Sequence, residues 1–248
     1  MPDYHDHIHE HHHSTQNIKT AFFLNLLFTI IEIVGGIMTN SVAIITDAVH
    51  DLGDTFTIGL SWYLEGVSKK KRTSKYSYGF TRFSLLAAII NINVLIIGSI
   101  IVLKESVERL FHPEQVNVQG MILLGILGVI VNGAAVLKLK KGKTINEKVV
   151  MLHLLEDVLG WVAILIGAVV MLFIEIPILD PVLSILIAVY ILYGAFKRIR
   201  RTLNIFLQGV PVGIDLERIE NVICQEPGVK GIHDTHIWTL DGDFNVLS

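Results

Sequence analysis

The chain has 248 residues, of which 52% are hydrophobic and 17% are charged, and its mean hydropathy is +0.58. This composition is too apolar for a water-soluble domain and is typical of an integral membrane protein. The formal net charge is −3 and no basic nucleic-acid-binding module is visible, so we expect no nucleic-acid partner. The single cysteine, Cys224, excludes an intramolecular disulfide and cannot by itself build a thiolate metal site.

Six apolar segments are each long enough to cross a bilayer as a helix, which needs about 20 residues. They lack the alternation of apolar and polar residues that a membrane β-barrel requires. The sequence therefore predicts an all-α transmembrane domain over residues 18–208. Its six predicted spans are roughly 18–38, 42–66, 80–110, 117–138, 147–173 and 180–207.

Positive charge predicts the orientation of these spans. Lysine and arginine cluster between spans two and three, between spans four and five, and after the bulk of span six, at Lys197–Arg201. The segments Thr39–Asn40 and Ile176–Asp180 carry no basic residue. The positive-inside rule then places both termini and the two basic loops in the cytoplasm, with Arg109 as a discordant charge near the opposite end of span three. Contact of these basic loops with membrane lipids is the alternative role.

Small and polar residues recur at helical spacing within the spans. Gly98, Gly128, Gly160 and Gly167 are interpreted as close-packing positions, because small residues let the backbones of membrane helices approach. Glu32, in span one, does not fit this explanation, since a carboxylate in lipid needs a compensating partner.

Two copies of one pattern carry the chemistry. His50 precedes Asp54, and His153 precedes Asp157, with three residues between the members of each pair. This spacing puts an imidazole and a carboxylate one helical turn apart on the same face. If the two faces met, they would supply two nitrogens and two oxygens, a ligand set suited to Zn²⁺. A purely structural pair of His–carboxylate hydrogen bonds is the other interpretation.

Charge and protonation extend this prediction. Zn²⁺ held by two aspartates and two neutral histidines is formally neutral, which lowers the cost of keeping a dication away from bulk water. Zinc requires unprotonated imidazole, so its binding competes with protons and releases them. Proton-driven zinc efflux is the resulting hypothesis. Asp47 and Asp51 share the helix face of His50, and we assign them to a hydrated ion path leading to the site.

From Gly209 onward the composition becomes that of a soluble segment. Asp215–Glu226 reads as an amphipathic helix, Val229–Leu240 as a strand, Asp241–Gly242 as a turn, and Phe244–Leu247 as the start of a second strand. One helix and two strands build a poor core by themselves. We therefore interpret residues 209–248 as part of an α+β domain that is cut short or depends on a partner chain.

Residues 1–17 form a His-rich tail with six of the eleven histidines, interpreted as a weak, pH-dependent metal collector in the cytoplasm, with a purification tag as the alternative. These histidines are His5, His7, His9, His11, His12 and His13.

Five stretches resemble the cation diffusion facilitator (cation efflux) family, in particular its zinc-exporting branch. They are Ser41–Asp54, Tyr78–Phe83, His153–Asp157, Asp180–Ser184, and Pro227–Val229 followed by His233–Trp238. The resemblance implies a homodimer of six-helix chains with a ferredoxin-like cytoplasmic domain, exporting divalent metal in exchange for protons. It implies that His50, Asp54, His153 and Asp157 are the ligands of the transported ion. It also implies that this ion is Zn²⁺, with Cd²⁺ or Co²⁺ as further substrates.

The chain departs from the family pattern in places. The loop between spans two and three has Tyr76 and Phe80 where some members have metal ligands, so we expect no second zinc site there. The C-terminal segment ends after roughly half the usual domain length, so His233, Asp234 and His236 are expected to keep only partial metal affinity. The Lys-rich loop Leu137–Lys148 lacks the histidines of eukaryotic relatives, which favours a bacterial inner membrane.

Two other classes of function stay open at this point. An intramembrane zinc enzyme would need three ligands, an open position and a base such as Glu156 or Asp51, but no HExxH motif is present. A non-transporting metal sensor or partner subunit would bind zinc in the membrane without moving it. A transporter rather than an enzyme is the function that the sequence favours.

Overall fold

The computed structural model describes residues 8–68, 73–74, 76–80, 82–139, 145–174, 176–242 and 244–248. Seven helices and two short strands occur in these ranges. In chain order they are α1 (Ile8–Thr39), α2 (Val42–Ser68), α3 (Phe83–Phe111), α4 (Val118–Leu139), α5 (Ile145–Phe173), α6 (Leu179–Phe206), α7 (Leu216–Cys224), β1 (Ile237–Thr239) and β2 (Asn245–Leu247).

The first six helices follow the six predicted spans closely, apart from the start of α1. Five of them, α1 and α3 to α6, contain stretches that are long and apolar enough to cross a membrane. Helix α2 is not among the five, because Asp47, Asp51, Asp54 and Glu65 interrupt its apolar sequence. The molecule is thus a multi-pass helical membrane protein.

Helix α1 begins at Ile8, ten residues before the predicted span. The backbone at His9, His11, His12 and His13 is therefore helical, whereas His5 and His7 lie outside the described residues.

The chain divides into two compact units. The first comprises Met1–Phe56 and Val94–Tyr193, and the second comprises Thr57–Asn93 and Gly194–Ser248. Eight buried residues form the apolar core of the first unit, where α4 packs along α5: Phe28, Ala43, Ile44, Met121, Trp161, Ile164, Ala168 and Met171. The predicted packing role of the glycines is confirmed here, because Gly128 lies against the Trp161 ring and Gly98 lies against Val49.

The turn between α1 and α2 explains the discordant arginine. Asn40 adopts a left-handed backbone conformation (φ +54°), which asparagine tolerates better than most residues. Arg109 donates from Nη1 to the Asn40 carbonyl at 2.8 Å and from Nη2 to the Asn40 side-chain oxygen at 2.9 Å. Its Nε also donates to Glu105 at 2.8 Å. The guanidinium thus stabilises a tight interhelical turn.

The second unit contains the soluble segment. Helix α7 begins after Asp215, whose side chain accepts a hydrogen bond from the Arg218 backbone N–H and so caps the helix. Strands β1 and β2 are antiparallel, with Trp238 opposite Val246, and they flank a turn in which Gly242 has φ +111°. The predicted helix and hairpin are confirmed, but the first strand has three residues rather than the twelve of Val229–Leu240.

Candidate metal centre

The two His–Asp pairs meet inside the first unit. Helix α2 carries His50 and Asp54, and α5 carries His153 and Asp157. The Nε2 atom of His153 lies 2.9 Å from Oδ2 of Asp54, and Nε2 of His50 lies 3.5 Å from the same oxygen. His50 Nε2 is also 3.9 Å from Oδ1 of Asp157. One carboxylate oxygen from α2 therefore faces imidazoles from both helices.

These contacts form a compact donor set. Ligand atoms of His50, Asp54 and His153 all lie within 4.8 Å of one another, and within the described ranges no other trio of such side chains is this close. The two imidazole rings stand edge to face, with centroids 5.8 Å apart and planes at 75°. Tetrahedral zinc, with ligands about 2.0–2.2 Å from the ion, needs donor atoms roughly 3.4 Å apart, so small side-chain movements would bring this trio onto one ion. Asp157, the fourth predicted ligand, lies outside this trio, with its Oδ1 3.9 Å from His50 Nε2.

A cavity of about 350 Å³ lies beside these residues. Asp47, His50, Glu156 and Asp157 supply its polar wall, and leucine, isoleucine and tyrosine side chains of α5 and α6 supply the apolar remainder. Glu156 is an exposed residue that also lines this cavity. From the sequence it was considered only as a base for the enzyme alternative. A polar-walled cavity next to the donor atoms offers water and ions a route to them.

Asp47 and Asp51 are more enclosed than a hydrated approach path suggests. Asp47 is 5% exposed and Asp51 is 6% exposed, and Asp47 packs against Gly160 of α5. Asp47 reaches the cavity wall, whereas Asp51 is not among the residues that line it. Asp47 and Asp51 therefore add buried carboxyl groups near the donor set, and of the two Asp47 borders the cavity.

Glu32 is a buried acid that the sequence marked without giving it a role. It is 1% exposed, and neither of its carboxylate oxygens meets hydrogen-bond geometry with a described residue. The charged groups that act on it are the carboxylates of Asp51, Asp47 and Asp157. On the same helix, Asn25 donates to Thr55 of α2 at 2.8 Å, and Thr29 and Thr55 share a hydroxyl contact at 3.1 Å. These polar contacts join α1 to the helix that carries His50.

The C-terminal histidines lie in the second unit and form a looser group. His236 Nδ1 is 2.9 Å from the Asp234 carbonyl, and its Nε2 is 3.7 Å from the Asp234 carboxylate. His233 and Asp234 are both exposed. A histidine and a carboxylate are thus paired here without a third donor close enough to complete a metal site among the described residues.

Long apolar helices with a His–Asp donor set between two of them are consistent with a membrane protein that handles a divalent cation. Residues 18–207 match the family model of the cation efflux transmembrane domain. The chain therefore belongs to the cation efflux, or cation diffusion facilitator, family, whose named members are transporters rather than enzymes.

Curated relatives agree with this assignment. The chain is 35% identical over 237 residues to the metal cation efflux system protein CzcD of Cupriavidus metallidurans, covering 94% of this chain and 75% of the relative. It is 31% identical over 246 residues to the cadmium, cobalt and zinc/H(+)-K(+) antiporter of Bacillus subtilis, covering 96% and 79%. It is 29% identical over 245 residues to the zinc transporter ZitB of Escherichia coli, covering 95% and 78%.

Proposed function

We propose that this protein exports Zn²⁺ from the cytoplasm in exchange for protons, with His50, Asp54, His153 and Asp157 as the ligands of the transported ion. The observation that carries the proposal is the approach of both imidazoles to one oxygen of Asp54, at 2.9 and 3.5 Å. The names of the relatives, which include zinc, cadmium and cobalt, support the choice of metal and leave Cd²⁺ and Co²⁺ as further substrates.

The same contacts suggest how metal and proton exchange. The contact between His153 Nε2 and Asp54 Oδ2, at 2.9 Å, is short enough for a proton to be shared between two donor atoms that zinc would bind. Zinc can bind both atoms only after that proton has left, because an imidazole nitrogen must be unprotonated to ligate a metal. A proton returning to this pair from the other side of the membrane would in turn weaken the hold on zinc. Alternating access of one site to the two sides then gives antiport.

Several broader features belong to the same proposal. Residues 18–208 form the membrane domain, in which α2 crosses the membrane together with the five apolar helices. Both termini are cytoplasmic, and the membrane is a bacterial inner membrane. Residues 209–248 belong to a ferredoxin-like domain, and the working unit is a homodimer. His233, Asp234 and His236 bind metal weakly as a regulator, and the tail of residues 1–17 collects it.

Flux measurements in proteoliposomes test the proposal. Wild-type protein should move Zn²⁺ when a pH gradient is imposed, with slower or no movement at equal pH on both sides. Asp157→Ala should abolish this flux because it removes a charged ligand. Glu217→Ala is the control, since it makes the same kind of truncation at an exposed carboxylate of α7, away from the cavity, and should keep most of the flux.

Two results would contradict the proposal. Zinc flux that ignores the pH gradient would refute proton exchange. Zinc binding without any flux, in vesicles where the protein is folded, would favour the non-transporting sensor or partner subunit. Parallel assays with Cd²⁺, Co²⁺ and Mn²⁺ would establish the order of metal preference.

A further inference from the structure

The first turn of α6 is hydrogen-bonded to the first turn of α2 through a buried carboxylate. Asp180 has no exposed surface. It accepts hydrogen bonds from the Ser41 hydroxyl at 2.6 Å, the Val42 N–H at 2.8 Å and the Ala43 N–H at 3.3 Å. These backbone groups are the unsatisfied donors at the start of α2, where a negative charge is favourable. Asp180 therefore caps a helix other than its own.

One turn further along α6, a cluster of hydroxyls continues this connection. Ser184 contacts Thr46 of α2 at 2.7 Å and Ser106 of α3 at 2.5 Å. All three side chains are completely buried. Ser41, Thr46, Ser106, Asp180 and Ser184 together form what we call the polar seam. Ser99 lies two turns before Ser106 on α3, and its buried hydroxyl has no hydrogen-bond partner among the described residues.

The position of the polar seam relates it to the metal centre. Thr46 is one helical turn before His50, and Asp47, which follows it, lines the cavity beside the donor set. From Thr46 the seam runs to the ends of α2 and α6, next to the Asn40 turn that Arg109 binds. It thus lies between the proposed ligands and the end of the unit where α1 joins α2 and α5 joins α6, whose connecting segments carry no lysine or arginine.

Burial implies that this seam can open only if water enters it. While closed, each of its polar groups is satisfied by another protein group and no water is needed. If α2 moved away from α6, the Asp180 carboxylate and the α2 N–H groups would lose partners, which lipid cannot replace but water can. An open seam must therefore be wet, and its walls would carry hydroxyl and carboxylate oxygens that a departing dication can contact.

We infer that the polar seam is the gate through which the metal leaves the site, and that Asp180 is the positioning residue that holds the gate closed. The inference rests on the proposed function, because it gives that transport its exit. Asp180 acts through the start of α2 and is not a ligand in the closed arrangement. Asp180→Asn keeps the size of the side chain but replaces one acceptor oxygen by a donor, so it should favour the open gate.

A cysteine reporter tests this directly. Ser106→Cys is introduced in a Cys224→Ser background, so that the seam holds the one thiol of the chain. Oriented vesicles receive a hydrophilic, membrane-impermeant thiol reagent on the side of the Asn40 turn. The reporter should react slowly at rest and faster during zinc turnover. Adding Asp180→Asn should raise the resting rate at least about tenfold, equivalent to about 1.4 kcal/mol.

Controls separate a gate from a general loss of structure. Asp215→Asn makes the same exchange at the cap of α7, outside the seam, and should leave the labelling rate unchanged. Zinc binding at equilibrium shows whether each variant is folded. If Asp180→Asn does not fold, Thr46→Val removes the Ser184 contact with little change in shape and should raise the rate to a smaller extent.

Unchanged labelling in a folded Asp180→Asn or Thr46→Val variant would overturn the inference, and so would an equal rise with Asp215→Asn. These results are distinct from failure of the proposed function. Labelling reports the opening of the seam whether or not zinc exchanges for protons, whereas loss of pH-driven flux in vesicles with normal labelling would refute only the antiport.

Discussion

Replacement of Gly128 by alanine should destabilise the protein, because the position faces a rigid aromatic ring. A Cβ atom at Gly128 would overlap the indole of Trp161, which is 1% exposed. The ring has little room to move, since Phe28 packs edge to face against it with centroids 6.0 Å apart. By contrast, a Cβ at Gly133 on the same helix would have no atom within 4 Å. The two glycines therefore form a matched pair.

The magnitudes follow from two opposing effects. Alanine in place of glycine within a helix gains about 0.5–1 kcal/mol. Inserting a methyl group into a filled interface costs roughly 1–3 kcal/mol, because neighbouring side chains must shift. Gly128→Ala should therefore lose about 1 kcal/mol or more in the free energy of unfolding. Gly133→Ala should gain helix propensity without any steric overlap, so this variant should be slightly more stable than the wild type.

Thermal unfolding in detergent, followed by tryptophan fluorescence and circular dichroism, measures both effects. For a chain of this size, 1 kcal/mol corresponds to a shift in Tm of about 2–4 °C. We expect Tm to fall for Gly128→Ala and to stay level or rise for Gly133→Ala. Shifts of the same sign and size in the two variants would show that the Gly128–Trp161 contact does not hold α4 against α5.

Two further predictions concern the polar interior. Thr55→Val should lower stability by about 1 kcal/mol, because it leaves the Asn25 amide and the Thr29 hydroxyl without their 2.8 and 3.1 Å contacts; unchanged thermal unfolding would show that these contacts contribute nothing. Zinc affinity, measured by equilibrium binding, should fall as pH is lowered from about 8 to about 6, because His50 and His153 must be neutral to ligate. The His50→Ala variant should bind zinc more weakly than the wild type at every pH. A wild-type affinity independent of pH would contradict histidine ligation.

Local patterns predicted the six long helices and the one-turn spacing of His50 and Asp54. The spacing of His50 and Asp54 fixes them one turn apart on any helix, and long apolar runs mark the spans. The approach of His153 to Asp54 was a hypothesis from sequence, since it depends on how α2 and α5 pack. The role of Asp180 was not predicted, because its partners Ser41 to Ala43 are almost 140 positions away and no local pattern encodes that pairing.

The C-terminal segment shows a different limit. Val229–Leu240 has the composition of a strand along its whole length, but pairing with β2 extends only from Ile237 to Thr239. A strand is defined by its partner, and residues 245–247 are the partner observed here. The start of α1 was missed for a related reason, because a polar His-rich sequence carries no apolar periodicity from which a helix can be predicted.

Anomalous diffraction at the zinc absorption edge, from crystals of the zinc-loaded protein, would test the central claim most directly. We expect one strong peak between α2 and α5, about 2.0–2.2 Å from ligand atoms of His50, Asp54, His153 and Asp157. Zinc located only at other histidines or acids, with the four side chains well ordered and no density between them, would contradict the account.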